Sequence, residues 1–297
     1  GLVGSEMCIR DRVYLVSARR RYRALADMSQ DIDRVLHGLD SQTIAACDEG
    51  ELAILSSEIR KMTVRLRQAA DSQHRERMQL ADAMADISHQ LRTPLTAINL
   101  TLSMLGREGL PEQERRALLQ ELRRLVTRME WLVETLLKMS RIDAGAVSFR
   151  EESCRAADII RRAVQPLAVP MELRGITLET AAGEECFTGD AAWSAEALGN
   201  VLKNCMEHAA SYIRVSARET ALFTEITVQD DGPGFRAEDL PRLFERFYRG
   251  KDAAPASVGI GLALARMVLS AQNGTIRADN ACPGGALFTL RWYRSTV

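Results

Sequence analysis

Long apolar runs are missing from this sequence. Nowhere in its 297 residues is there a stretch able to cross a bilayer as a helix. Paired cysteine spacings are missing too. Cys8, Cys47, Cys154, Cys186, Cys205 and Cys282 are scattered, which excludes a compact zinc site or a disulfide framework and fits free thiols in a reducing cytosol. The net charge of -1 gives no global mark of a nucleic-acid binder, and direct nucleic-acid binding is not expected. No Gly-x-Gly-x-x-Gly follows a strand-like run and no Walker loop is present, so neither a dinucleotide fold nor a P-loop is indicated. Internal repeats and low-complexity tracts are absent. What remains is a chain with room for about two domains and a sizeable core.

The first 12 residues, Gly-Leu-Val-Gly-Ser-Glu-Met-Cys-Ile-Arg-Asp-Arg, resemble translated sequencing-adapter read-through and are set aside from fold reasoning. Val13-Tyr14-Leu15-Val16 precedes Arg19, Arg20, Arg21 and Arg23. That reads either as the cytoplasmic end of a membrane helix, positive charge inside, or as an ordinary basic helix start. The first alternative implies a parent anchored in the membrane upstream of residue 13, this fragment being its soluble cytoplasmic portion. Residues 13–80 are then a juxtamembrane and signalling helix. Within them Leu52, Leu55, Ile59, Met62 and Leu66 form a heptad seam, the mark of a coiled coil.

The seam weakens through the polar stretch 71–77. It resumes at Leu80, Met84, Ile87, Leu91, Leu95, Ile98, Leu102 and Leu105. Gly106 to Pro111 is a turn. A second helix carries Leu118, Leu122, Leu125, Met129, Leu132, Leu136 and Met139 and stops near Asp143. Residues 81–145 therefore read as an antiparallel helical hairpin. One hairpin buries two seams poorly and two hairpins bury them well, so a homodimeric four-helix bundle is expected. From residue 146 to 297 the pattern changes to an α/β sandwich. Strands are expected at 146–150, 176–179, 212–217, 222–228, 275–278 and 286–292. Helices are expected at 154–167, 191–209 (with Asp190 as N-cap) and 260–272. Residues 241–257 lack a period and read as a mobile loop. The fold class is thus α+β, a hairpin followed by a sandwich.

Four local runs carry chemistry. In Ser88-His89-Gln90-Leu91-Arg92-Thr93-Pro94-Leu95-Thr96, His89 lies between seam residues Ile87 and Leu91 and points to solvent. A neutral imidazole offers a nitrogen lone pair for attack on a phosphoryl group. Pro94 removes the helical partner of the Gln90 carbonyl, so the helix should bend there. Asn200, Asn204 and His208 share one helix face, and amide oxygens suit Mg²⁺. Asp230-Asp231-Gly232-Pro233-Gly234 follows a strand. A carboxylate there can accept from the exocyclic amine of adenine, and Gly232 and Gly234 let backbone approach closely. Gly259-Ile260-Gly261-Leu262 opens a helix whose bare N–H groups suit phosphate.

In this order, over residues 80–293 or so, these runs resemble the sensor histidine kinases of two-component systems. The resemblance implies a phosphoacceptor hairpin and an ATP-binding domain of the fold shared with gyrase, heat-shock chaperones and mismatch-repair ATPases. It implies autophosphorylation of His89 from Mg-ATP, then transfer to an aspartate of a response regulator receiver domain. It makes Asn204 the metal ligand with Asn200 beside it, Asp230 the adenine acceptor, and His208 an adenine-packing residue. Arg249 would reach the γ-phosphate, helped by Arg246 or Lys251, from a lid anchored by Phe244, Phe247 and Tyr248. Thr93 takes the place that aligns water for dephosphorylating the partner.

Three departures stand out. Gln90 replaces the usual acidic residue after the histidine and cannot take a proton, leaving Asp86 as the nearby carboxylate. Glu207 stands where a basic residue is usual, and Ala263 where a third glycine is. Two alternatives stay open: a phosphatase-biased or scaffold partner with weak kinase activity, or another ATPase of the same fold.

Overall fold

The computed structural model describes residues 51–107, 109–250, 258–282 and 284–294, with scattered positions between 12 and 29. All of the adapter-like segment except Arg12 lies outside the described residues, as does Lys251. The chain separates into two units, Gly1–Met84 and Ala85–Val297.

Helix α1 spans Glu51–Leu105 and continues through both the polar stretch and Pro94. In the first unit Met62 and Leu66 of the expected seam are exposed and Ile59 is half-buried. Helix α2, Glu112–Asp143, returns antiparallel after a turn at Gly106. Its expected seam is its inner face, with Leu125, Leu132 and Met139 buried and Leu118, Leu122, Met129 and Leu136 half-buried. The α1 seam divides instead. Ile87, Leu91, Pro94, Ile98, Thr101 and Leu105, again at alternating steps of four and three, are buried or half-buried, whereas Met84, Leu95 and Leu102 are exposed. An exposed heptad row, Leu119, Val126 and Val133, also runs along α2.

The sandwich follows. Strand β1 is Glu152–Arg155, α3 is Ala156–Val164, α4 is Ala168–Leu173, β2 is Thr177–Ala181 and β3 is Cys186–Gly189. Then come α5 Ala191–His208, β4 Tyr212–Glu219, β5 Phe223–Asp230, α6 Gly261–Ala271, β6 Gly274–Asn280 and β7 Ala286–Tyr293. Five strands form one sheet in the order β2-β4-β5-β7-β6, parallel only at β2–β4, and β1 pairs β3 in a two-stranded sheet. Helices α3, α5 and α6 cover the large sheet through one continuous core, with Ile159, Leu198, Leu202, Ile213, Ile226, Leu264, Phe288 and Leu290 almost wholly enclosed.

Two expectations need correction. The strand expected at 146–150 is irregular chain, and the strand lies instead at Glu152–Arg155, overlapping the first two positions of the helix expected at 154–167. The cause is tertiary: this strand pairs with β3, which has no clear alternation of its own. Residues 240–250 are not a featureless loop. Leu240–Arg242 form a 3₁₀ turn, and Phe244 and Phe247 pack against the core. Residues 251–257 lie outside the described residues.

Leu198 is fully enclosed between α5 and its neighbours. Leu198→Ala is expected to lower unfolding free energy by about 2–5 kcal/mol, measured by urea denaturation.

Candidate functional site

Helix α5 has two jobs. Its start is fixed by Asp190, whose Oδ1 accepts from the amides of Ala192 (3.0 Å) and Trp193 (3.2 Å). The Asp190 amide in turn donates to Gln272 at the end of α6 (2.6 Å), so the two helices are tied at that corner. Ala197, Leu198, Val201, Leu202 and Cys205 fill the core. The other face, Asn200, Lys203, Asn204, Glu207 and His208, lines a cavity of about 380 Å³. Asp230, Gly234, Arg249, Gly259, Gly261 and Leu262 line the same cavity. Four stretches far apart in sequence thus meet at one cavity. Gly232 is not on the wall. A Cβ there would lie 2.5 Å from the His208 carbonyl oxygen, so this glycine lets the β5 corner close on the end of α5.

Asp230 is 1% exposed at the end of β5. Its Oδ1 accepts from the amides of Gly232 (3.0 Å) and Ala286 (2.9 Å). Its Oδ2 is buried and takes no well-formed hydrogen bond from the described residues. The group beside it is the Cys205 thiol, a weak donor, whose pKa is driven well above its usual range by complete burial and then by the Asp230 charge. A buried carboxylate oxygen without a full partner is costly, and a ligand amine facing it would remove that cost. Asp231 is spent differently. Burial works to raise its pKa. The Ser211 hydroxyl and the amides of Ser211, Tyr212 and Ala210 outweigh that and bring it to about 2. It therefore anchors the start of β4 and is not available to a base.

Helix α6 starts at Gly261 with no side-chain cap at Ile260, so its first amides are open at the cavity wall. Gly259 is required twice over. Its φ is +77°, and a Cβ would meet the Tyr248 carbonyl oxygen at 2.3 Å. Tyr248 itself is braced by Asp239, and the Arg242 guanidinium lies 4.4 Å over its ring. Arg249 lines the cavity, whereas Arg246 pairs with Asp143 of α2 (2.6 Å). The alternative of Arg246 as a second phosphate contact is therefore weakened, and Lys251 lies outside the described residues. Between them, an orphaned base-end oxygen, two asparagines and an uncapped helix start are a donor and acceptor set that fits a Mg-nucleotide.

The hairpin histidine lies apart from this cavity on α1. His89 is exposed, Gln90 is half-buried and Thr93 is exposed, with the Thr93 hydroxyl donating to the His89 carbonyl (3.2 Å). Further along, α2 packs on the sandwich. Leu132 and Met139 enter the shared core, Lys138 pairs with Glu196 (2.5 Å), and Trp131 forms part of the cavity wall. Trp131, Lys203 and Asp239 escape a reading of local motifs. Only the three-dimensional course of α2 and of the 3₁₀ turn puts Trp131 and Asp239 there, although Lys203 sits on the Asn200/Asn204 face by spacing alone.

Residues 79–145 match the His Kinase A (phospho-acceptor) domain, and residues 189–296 match the histidine kinase-, DNA gyrase B-, and HSP90-like ATPase family. With both domains in succession, the chain belongs to the sensor histidine kinases. Among its relatives, it is 31% identical over 280 residues to the signal transduction histidine-protein kinase/phosphatase MprB of Mycolicibacterium smegmatis, covering 90% of this chain and 54% of that protein. The chain thus spans about half the length of the curated relatives it matches. In fold it is similar to the Acinetobacter baumannii histidine kinase AdeS, with TM-score 0.58 at 20% identity over 70% of this chain and 98% of that one. It is also similar to full-length ShkA, solved in complex with AMPPNP, with TM-score 0.53 at 20% identity over 73% of this chain and 46% of that one.

Because the Asp231 pKa is depressed, its contribution to stability is complete above about pH 4 and is lost as the pH falls through about 2. Asp231→Asn is expected to destabilise the domain at neutral pH and to flatten its acid unfolding limb across that window, as followed by circular dichroism.

Proposed function

We propose that this chain is the kinase portion of a two-component sensor: it binds Mg-ATP in the cavity, accepts the γ-phosphoryl group on a ring nitrogen of His89, and donates it to an aspartate of a response regulator. The observation that carries the nucleotide half is the buried, unpartnered Oδ2 of Asp230. An adenine amine supplies the missing donor, and guanine has none at that position. Nine residues of the cavity then divide the work. Asp230, Gly234 and His208 hold the base. Asn204, with Asn200 beside it, holds the metal. Gly259, Gly261 and Leu262 present the α6 amides to phosphate, and Arg249 stabilises charge on the transferring group. The metal supplies charge neutralisation along the phosphates.

At the acceptor, His89 is the nucleophile. Gln90 can accept from the ring and fix its tautomer but takes no proton, so Asp86, exposed one turn earlier, is the carboxylate within reach of this helix face. A second reading, a protein biased towards dephosphorylating its partner, is favoured by Gln90 and by the exposed Thr93 in the water-aligning position. The name of the relative MprB, kinase/phosphatase, is compatible with either balance.

The hairpin is proposed to dimerise. Leu95, Leu102, Leu119, Val126 and Val133 are each between 41% and 49% exposed in the single chain. They lie at heptad spacing on the two helices, as the a and d positions of a four-helix bundle do. A membrane-anchored parent is proposed from the basic cluster after Val16. Among the described residues no helix is long and apolar enough to cross a membrane.

Incubation with γ-labelled ATP is expected to give acid-labile, base-stable label on the wild type and none on His89→Gln. ATP turnover with unlabelled protein would support the other-ATPase alternative. Gln90→Glu is expected to raise the labelling rate, and an unchanged rate would remove the amide as the limiting feature. By light scattering the wild type is expected to be a dimer at micromolar concentration. Leu119→Glu together with Val126→Glu is expected to yield a monomer.

A further inference from the structure

The cavity has two distinguishable ends, and α5 runs between them. At the His208 end the helix closes on Gly232, two residues from the Asp230 carboxylate. At the Asn200 end, the position of a Cβ on Gly261 is 3.0 Å from Asn200 Oδ1, which sets the open start of α6 against that residue. Eight residues of helix separate the two ends by about 12 Å, a span that suits a base at one end and a phosphate chain at the other. The cavity face of α5 is electrostatically divided as well. Glu207 places a carboxylate near the base end, where a phosphate chain would be repelled. Lys203, one turn earlier and next to Asn204, places an ammonium towards the phosphate end.

Lys203 is a surface lysine on a four-carbon stem and has no intrinsic reason to hold one direction. One feature holds it. Its Nζ lies 4.6 Å above the ring of Trp131, and Trp131 belongs to hairpin helix α2 while also lining the cavity. The ring is kept in place by its neighbours on the same helix. Leu132 and Met139 are buried in the common core, Lys138 pairs with Glu196 of α5, and Asp143 pairs with Arg246.

We propose that Trp131 is a positioning residue for the nucleotide: its ring face holds the Lys203 ammonium over the phosphate end of the cavity, so that the triphosphate is gripped by the hairpin and the sandwich at once. This rests on the ATP reading above, and it adds a residue from outside the ATP-binding domain. A cation–π contact to an exposed lysine contributes enough to change an affinity by up to about fivefold. It acts on phosphate and leaves recognition of the base alone. Linkage also makes it reciprocal: a bound triphosphate stabilises the packing of α2 on the sandwich.

The test is calorimetric titration of the full chain with Mg-AMPPNP and, separately, with adenosine. Trp131→Ala and Lys203→Gln are each expected to weaken the triphosphate by about fivefold and to change adenosine by less than about twofold. Trp131→Phe, which keeps a ring face, restores most of the triphosphate affinity. The double variant Trp131→Ala/Lys203→Gln is no weaker than either single one, because both remove the same contact. Equal loss of adenosine and triphosphate affinity in Trp131→Ala would assign the ring a packing role and overturn the proposal. So would an unchanged triphosphate affinity in Lys203→Gln, an exposed substitution that leaves the core untouched. A wild type that binds neither ligand would instead remove the ATP reading itself.

Discussion

Everything in the sandwich depends on one helix being apolar on one side and amide-rich on the other. The inner face of α5 must satisfy the core, and seven of its residues are buried, six of them completely. Its outer face must stay polar and still not be solvated as an ordinary surface, because it is the floor of the cavity. Those demands are compatible only if the helix cannot rotate. The Asp190 cap and the Gln272 bridge at one end, and the contact with the Gly232 corner at the other, fix that rotation. A turn of the helix about its axis would bury Asn204 in the core and expose Leu202, which both desolvation and hydrophobic burial oppose.

The two neighbouring aspartates of the β5 corner illustrate how environment divides labour between like residues. Asp231 is saturated by four donors and holds chain to chain. Asp230 keeps one buried oxygen in reserve. Nothing in the dipeptide distinguishes them. The distinction comes from the direction each side chain takes as the strand ends, one towards the β4 start and one towards α5.

Much of the fold was legible because its signals are local. The hairpin could be read from apolar spacing, including the turn at Gly106 and the stop at Asp143, α5 from its Asp190 cap and periodicity, and α6 from the glycine pair that opens it. The strands β4, β5, β6 and β7 were placed to within a residue or two. What was not legible depends on partners distant in sequence. β1 and β3 are short and are strands because they pair with each other, and the 240–250 segment is ordered by aromatic packing that has no period. The α1 seam read as a single stripe, yet it divides between a buried row and an exposed one, since apolar spacing cannot say which neighbour a residue meets. At the site, the motif glycines and asparagines were visible by spacing. Trp131 was not, because its role is set by where a different helix happens to pass.

Around His89, α1 lacks one rung of its backbone ladder. The Gln90 carbonyl faces a proline that has no N–H to give, and the His89 carbonyl is shared with the Thr93 hydroxyl. Thr96 repeats that sharing at the next turn, with Arg92. A helix bends most readily where a rung is missing, and Pro94 puts that place within about one turn of the imidazole. A bend at that rung would tilt the imidazole relative to the packed turns that follow, much as a notch decides where a shaft gives.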